Sequence, residues 1–157
     1  MVMLAKVIAL LVGFVGTQPA ADLVAQCKAI GMQQQHYEDV MGMDKTLPDF
    51  DSGYRFTFVT DDNVEATMEI LEREKRVLQA GVQIVYPPAT SENLVAKHYS
   101  EVQRVAKEHY GRATPVSAGG IEILNWADRT TVFYSHRLVV NGCKGITFRA
   151  GNRKFWD

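Results

Sequence analysis

The stretch that most constrains the fold of this chain lies near its C-terminus, from Ile121 to Phe148. It reads Ile121-Glu122-Ile123-Leu124-Asn125-Trp126, a turn at Ala127-Asp128-Arg129, then Thr130 to Val140, Asn141-Gly142, and Cys143 to Phe148. β-Branched and aromatic residues fill the runs, and turn-forming residues close them. Asn141-Gly142 is a strong hairpin signal, because a type I′ turn needs positive φ at both central positions. Such a meander buries one face only when something packs on it. The helices upstream must supply that cover.

Upstream, Tyr54 to Val59 alternates: Tyr54, Phe56 and Phe58 point one way, Arg55, Thr57 and Val59 the other. Val82 to Tyr86 reads as another strand, stopped by Pro87-Pro88. Between them, Asp62 as N-cap with Glu65 three residues on resembles a capping box. Val64, Met68, Leu71 and Leu78 would form the stripe of a helix, Glu69/Arg73 and Glu72/Arg76 its wet side, and Gly81 its C′ residue. A further helix, capped by Thr90 or Ser91, runs to Tyr110-Gly111 on Val95, Tyr99, Val102, Ala106 and Tyr110. Ala21 to Ile30 is helical through Leu23, Cys27 and Ile30, with Gly31 closing it. Gln33 to Gly42 carries a weaker helical pattern, Lys45 to Asp51 with Pro48 reads as a loop, and Gly119-Gly120 as a flexible entry to the sheet. The expected architecture is α+β: an antiparallel sheet packed on one face by two amphipathic helices. No interior repeat is visible.

The N-terminus reads as an address. Lys6 precedes the uncharged apolar run Val7 to Gly16, and Thr17-Gln18-Pro19-Ala20-Ala21 supplies a turn and small residues. Residues 1–20 are expected to be a signal peptide cut after Ala20 or Ala21, and 21–157 a single domain, periplasmic or secreted. The apolar run falls short of the ~20 residues of a membrane span, so no stable span is expected after cleavage. Acylation at Cys27 is disfavoured because Gln26 stands where a small residue is required. In an exported chain the two cysteines, Cys27 and Cys143, are expected to pair as a disulfide. So long a loop would contribute ~4–5 kcal/mol by chain entropy.

A formal net charge of −1 excludes a strongly basic nucleic-acid binder. The charge is unevenly spread. Eleven acidic residues between Glu38 and Glu74 meet only Lys45, Arg55 and Arg73. From Arg129 to the end, Arg129, Arg137, Lys144, Arg149, Arg153 and Lys154 meet only Asp157. Either the segments neutralise each other, or Arg129, Arg137, Lys144 and Arg149 form a basic face for an anionic partner.

Catalytic motifs are missing: no nucleophile elbow, no zinc-protease helix, no phosphate-binding glycine loop and no Cys-x-x-Cys. His98 and His109 share a helix face but lie ~16 Å apart along its axis, too far to bind one metal together. No cofactor is implied. A helix ending in Tyr110-Gly111, a strand with Trp126, and an antiparallel return ending in Ile146-Thr147-Phe148 resemble a loose class of small exported bacterial α+β proteins. The resemblance covers about a third of the chain. It implies fold and compartment, and no site residues. The reading is a non-catalytic exported protein that binds another macromolecule, such as an envelope or secreted protein, as an inhibitor, immunity or accessory protein. The alternatives are an envelope enzyme using His98, His109 or His136, and an apolar-ligand carrier lined by Tyr54, Phe56 and Phe58.

Overall fold

In the computed structural model, which describes residues 3–13, 18–35 and 50–156, the chain is α+β with an antiparallel sheet of eight strands. Helices α1 (Met3–Val12) and α2 (Ala20–Ala29) precede strands β1 (Gln33–Gln35), β2 (Ser52–Val59), β3 (Glu65–Arg73) and β4 (Arg76–Val85). Helix α3 (Glu92–Tyr110) leads into β5 (Thr114–Ala118), β6 (Ile121–Ala127), β7 (Thr131–Val140) and β8 (Cys143–Asn152), and a short α4 (Arg153–Trp156) follows. The spatial order is β1-β2-β3-β4-β8-β7-β6-β5.

That order conceals a repeat invisible in the sequence. Each half is a four-stranded meander preceded by helix, α1 and α2 in the first and α3 in the second, and the halves meet where β4 pairs with β8, Gly81 opposite Arg149. The hairpins on either side of this seam match as well. Both β3–β4 and β7–β8 turn through two residues of positive φ: Glu74 (54°) and Lys75 (65°), then Asn141 (51°) and Gly142 (80°). Asn-Gly adopts this turn readily. Glu74-Lys75 does so at a steric cost of roughly 1–2 kcal/mol per residue, offset in part by Asp51, whose carboxylate accepts the Glu74 N–H at 2.8 Å.

The expected helix from Asp62 to Gly81 is therefore this first hairpin. Val64, Met68 and Leu71 are spaced four and three apart, which a helix permits. The positions that the core selects are Ala66, Met68 and Ile70, then Ala80, Val82 and Ile84, all buried at a strict period of two. Asp62 lies in the β2–β3 connection, where Thr60 N–H reaches the Val64 carbonyl. Gly81 caps nothing. It sits mid-strand because a Cβ there would lie 2.6 Å from Cγ of Arg149. Gly119 (φ 58°) and Gly120 (φ 80°) join β6 to a strand that the sequence pattern does not announce, exposed β5. Gln33–Gln35 is a strand rather than the start of a helix, and the rest of that segment, like residues 45–49, lies outside the described residues.

The main hydrophobic cluster lies on one side of the sheet. Phe56, Met68, Ile84, Phe133, Ile146 and Phe148 carry it from the strands; Leu23 and Cys27 from α2; Val95, Val102 and Ala106 from α3. Ser91 caps α3 as expected, its hydroxyl accepting the Leu94 N–H. At the far end, the Trp126 indole donates to the Gly111 carbonyl at 3.1 Å and the Tyr110 hydroxyl to the Val12 carbonyl at 3.1 Å. The apolar run 7–12 is thus part of α1, whose Leu4, Val7, Ile8, Leu11 and Val12 are buried against α3 and the sheet. No helix among the described residues is long and apolar enough to cross a membrane.

The expected Cys27–Cys143 disulfide does not form; both cysteines are free. The sheet stands between them. Cys27 is fully buried on the helix side, its Sγ 3.8 Å from Sδ of Met68. Cys143 alternates with Gly145 and Thr147 on the opposite face, half-buried. Burial pushes the Cys27 thiol up to about 12, leaving it unreactive. Alkylation of the folded, unreduced protein should therefore label Cys143 alone, and Cys27 should react only after denaturation. An unreduced, denatured protein in which neither thiol can be labelled would contradict this arrangement.

Candidate binding face of the sheet

Among the described residues, the three long helices pack on one face of the sheet and none covers the other, here called the bare face. The register sets one row of residues across all eight strands of that bare face: Gln35, Arg55, Glu69, Gly81, Arg149, Tyr134, Asn125 and Thr114. A second row runs beside it through Gln33, Thr57, Thr67, Gln83, Thr147, His136, Ile123 and Val116. Amide, hydroxyl and charged groups dominate, where a face awaiting a covering helix would be apolar.

The face is recessed around Gly81, with a cavity of about 430 Å³ lined by Arg55, Thr67, Glu69, Leu71, Gln79, Gln83 and Arg149 among others. Arg55 and Glu69 form a cross-strand ion pair at 2.8 Å. Arg149 crosses the sheet over Gly81 and its Nε reaches the Thr147 hydroxyl at 3.4 Å. Among the described residues no carboxylate pairs with it. Gln79 is 3% exposed, yet its Oε1 has no hydrogen-bond partner among the described residues. Leaving a buried amide oxygen unpaired costs roughly 1–3 kcal/mol. A donor arriving from outside would recover that energy.

The four residues expected to make one basic face do not share one. Arg137 and Lys144 lie on the helix side and both bind Glu92, at 2.5 and 3.4 Å. Arg149 is on the bare face, and Arg129 is in the β6–β7 turn. Sequence reasoning missed Gln79, Glu69 and Gly81, because they sat inside the expected helix. Arg55 on an alternating strand and Arg149 in the basic C-terminal segment were the legible signals of a polar face.

The histidines are equally dispersed. His98 is 4% exposed, with Nε2 2.8 Å from a carboxylate oxygen of Asp62 and Nδ1 2.9 Å from the Tyr86 hydroxyl. Both ring nitrogens are engaged, so this buried chain fastens α3 to the sheet. Burial holds the Tyr86 hydroxyl well above its ordinary value, and it remains a donor. His109 is exposed and meets Tyr110 edge-on, while His136 stands opposite Thr147 on the bare face. Among the described residues no three His, Cys, Asp or Glu side chains gather as a metal site. Phe56 and Phe58 fill the core beside α1.

No family model, curated protein or solved structure matches the chain.

The His98 chain makes its own prediction. The His98 hydrogen bond first, and the Lys97 charge after it, hold the Asp62 carboxyl below its ordinary 3.8. A depressed carboxyl contributes stability that is present above the unfolded value and lost as pH falls through the folded one. Wild type should therefore lose part of its stability below about pH 4, and Asp62→Asn should be less stable at neutral pH with a shallower acid limb. His98→Leu should destabilise by about 1–3 kcal/mol by orphaning the Tyr86 hydroxyl. Urea melts at several pH values check both; an unchanged acid limb in Asp62→Asn would contradict the first.

Proposed function

We propose that this is a non-catalytic binding protein that holds another protein against the bare face of its sheet. The observation that carries the reading is the recess around Gly81, where, among the described residues, a buried amide oxygen of Gln79 lacks a partner beside an Arg149 that no carboxylate pairs. Seven interstrand steps of about 4.8 Å make the face roughly 34 Å wide, the scale of a standard protein interface and more than a small ligand needs. Its charges are mixed, with Arg55 and Arg149 beside Glu65 and Glu69. A protein surface offers both complements, whereas a nucleic acid would require net positive charge.

A periplasmic or secreted setting reached by cleavage near Ala20, and the burial of α1, make opposite demands on residues 1–20. The burial of five side chains of α1 supports its retention in the folded protein. The binding reading needs the bare face alone and holds in either compartment. It is tested by charge reversal at Arg149, set against reversal at Arg104 on the solvent side of α3, where Arg104 is paired with Glu101 and Glu108. Partner binding should fail in the first variant and persist in the second.

A further inference from the structure

The basic residues of the C-terminal segment that neither Glu92 nor the bare face accounts for converge at one end of the sheet. Arg129 and Thr130 from the β6–β7 turn, Asn152, Arg153, Lys154 and Phe155 from the end of β8 and α4, and Glu74 and Arg76 from the β3–β4 turn line a cavity of about 560 Å³. Four cationic side chains thus face one pocket with a single carboxylate among the described residues that line it. They come from three segments far apart in sequence, so no local pattern gathers them. The fold does.

Two of the four are positioned by the backbone. The Arg153 N–H donates to the Thr130 carbonyl at 2.9 Å and its guanidinium to the Asp128 carbonyl at 2.7 Å. The Lys154 N–H donates to the Asn152 side chain at 3.1 Å, and its ammonium lies 5.4 Å from the centre of the Phe155 ring. Arg73 lies over that same ring at 4.9 Å, adding a fifth positive charge at the rim. Like charges that line one pocket repel, and a multiply charged anion between them reverses the sign of that interaction. Guanidinium groups match the oxygens of a phosphate in paired, charge-assisted hydrogen bonds.

We propose that this pocket binds a small molecule carrying two linked phosphates. The cavity exceeds what one phosphate fills and lies within the usual range for small-molecule sites. The site is separate from the bare face of the sheet and stands or falls independently of it.

The probe is inorganic pyrophosphate, titrated calorimetrically into the full chain at constant ionic strength, with orthophosphate alongside. The expected result is one-to-one binding of pyrophosphate, tighter than orthophosphate, with a rise in Tm. Each charge-assisted bond lost weakens binding by roughly tenfold. The double variant Arg129→Glu/Lys154→Glu, at two exposed positions, should therefore lose at least that factor while melting like wild type. Glu74→Gln should bind more tightly. Vesicles of phosphatidylglycerol, with phosphatidylcholine as control, separate a soluble ligand from a lipid headgroup. Capture by anionic vesicles without binding of free pyrophosphate would overturn the proposal. So would the absence of heat and of a Tm shift at millimolar pyrophosphate, or a double variant that binds as wild type does.

Discussion

A chain that begins at Ala21 should fail to fold cooperatively. The reason lies in what α1 covers. Leu4, Val7, Ile8, Leu11 and Val12 are each no more than 3% exposed. A buried aliphatic side chain contributes roughly 1.5–3 kcal/mol, so the five together reach on the order of 10 kcal/mol before allowance for a partly compact unfolded chain. That is comparable to the whole stability of a typical domain, about 5–15 kcal/mol. Truncation would also uncover the part of α3 that α1 packs on and leave the Tyr110 hydroxyl without the Val12 carbonyl. The residues before Ala21 bind the sheet directly as well: the Gln18 carbonyl accepts the Val77 N–H, and the Ala20 N–H reaches the Lys75 carbonyl. Ile8→Asp in the full chain should reproduce most of the loss by placing an unpaired carboxylate in the core. Circular dichroism melts decide the point. A truncated chain that melts cooperatively near the full-length temperature would make α1 an appendage and strengthen the reading of residues 1–20 as a signal peptide. An intact mass from the native host supplies the complementary result, full length for a retained helix.

Arg149→Glu is expected to weaken partner binding by at least about thirty-fold, the scale of an interface hot spot worth 2 kcal/mol or more. Arg149 stands at the centre of the polar row, on the seam between the two halves, and its stem covers Gly81. Reversal would set a second carboxylate near Glu69, which Arg55 already pairs, and offer no donor to the Gln79 oxygen. The stability cost should stay near 1 kcal/mol, since the side chain is only half-buried and its loss is mainly that of a packed stem. Gly81→Ala gives an independent version. Its Cβ would meet Cγ of Arg149 at 2.6 Å, so the arginine must leave its path across the sheet while its charge remains. Both variants should bind poorly and melt close to wild type. Full binding by both would remove the recess from the interface.

The strands that announced themselves were those bounded by turn residues in ordinary use. β2, β6, β7 and β8 were legible from alternation and from Asn141-Gly142, and α3 from its stripe and Ser91. The end of β4, from Val82, was legible too; β3 and the start of β4 were not, because their turn is made by Glu74-Lys75, two residues that seldom adopt positive φ, while the nearest glycine, Gly81, serves a close approach in mid-strand. With the hairpin misread as a helix, the symmetric seam and the recess beside it disappeared from view. The disulfide expectation failed for a different reason. Compartment and cysteine count suggest a pair, but Cys143 shares its face of the sheet with Gly145 and Thr147, while Cys27 packs beside Met68 on the other side. The charge gradient was real, yet only the fold could divide it into the Glu92 cluster, the lone Arg149 and the four-cation pocket.

The most direct measurement is site-specific photo-crosslinking in the native host, with the reactive group placed in turn at Gln83, Tyr134 and Arg104. Gln83 and Tyr134 lie on the bare face on opposite sides of the β4–β8 seam, and Arg104 lies on the outer side of α3. A partner held against the bare face predicts one adduct of the same discrete mass from Gln83 and Tyr134, and none from Arg104. Adducts from Arg104 with none from the other two positions would contradict the account.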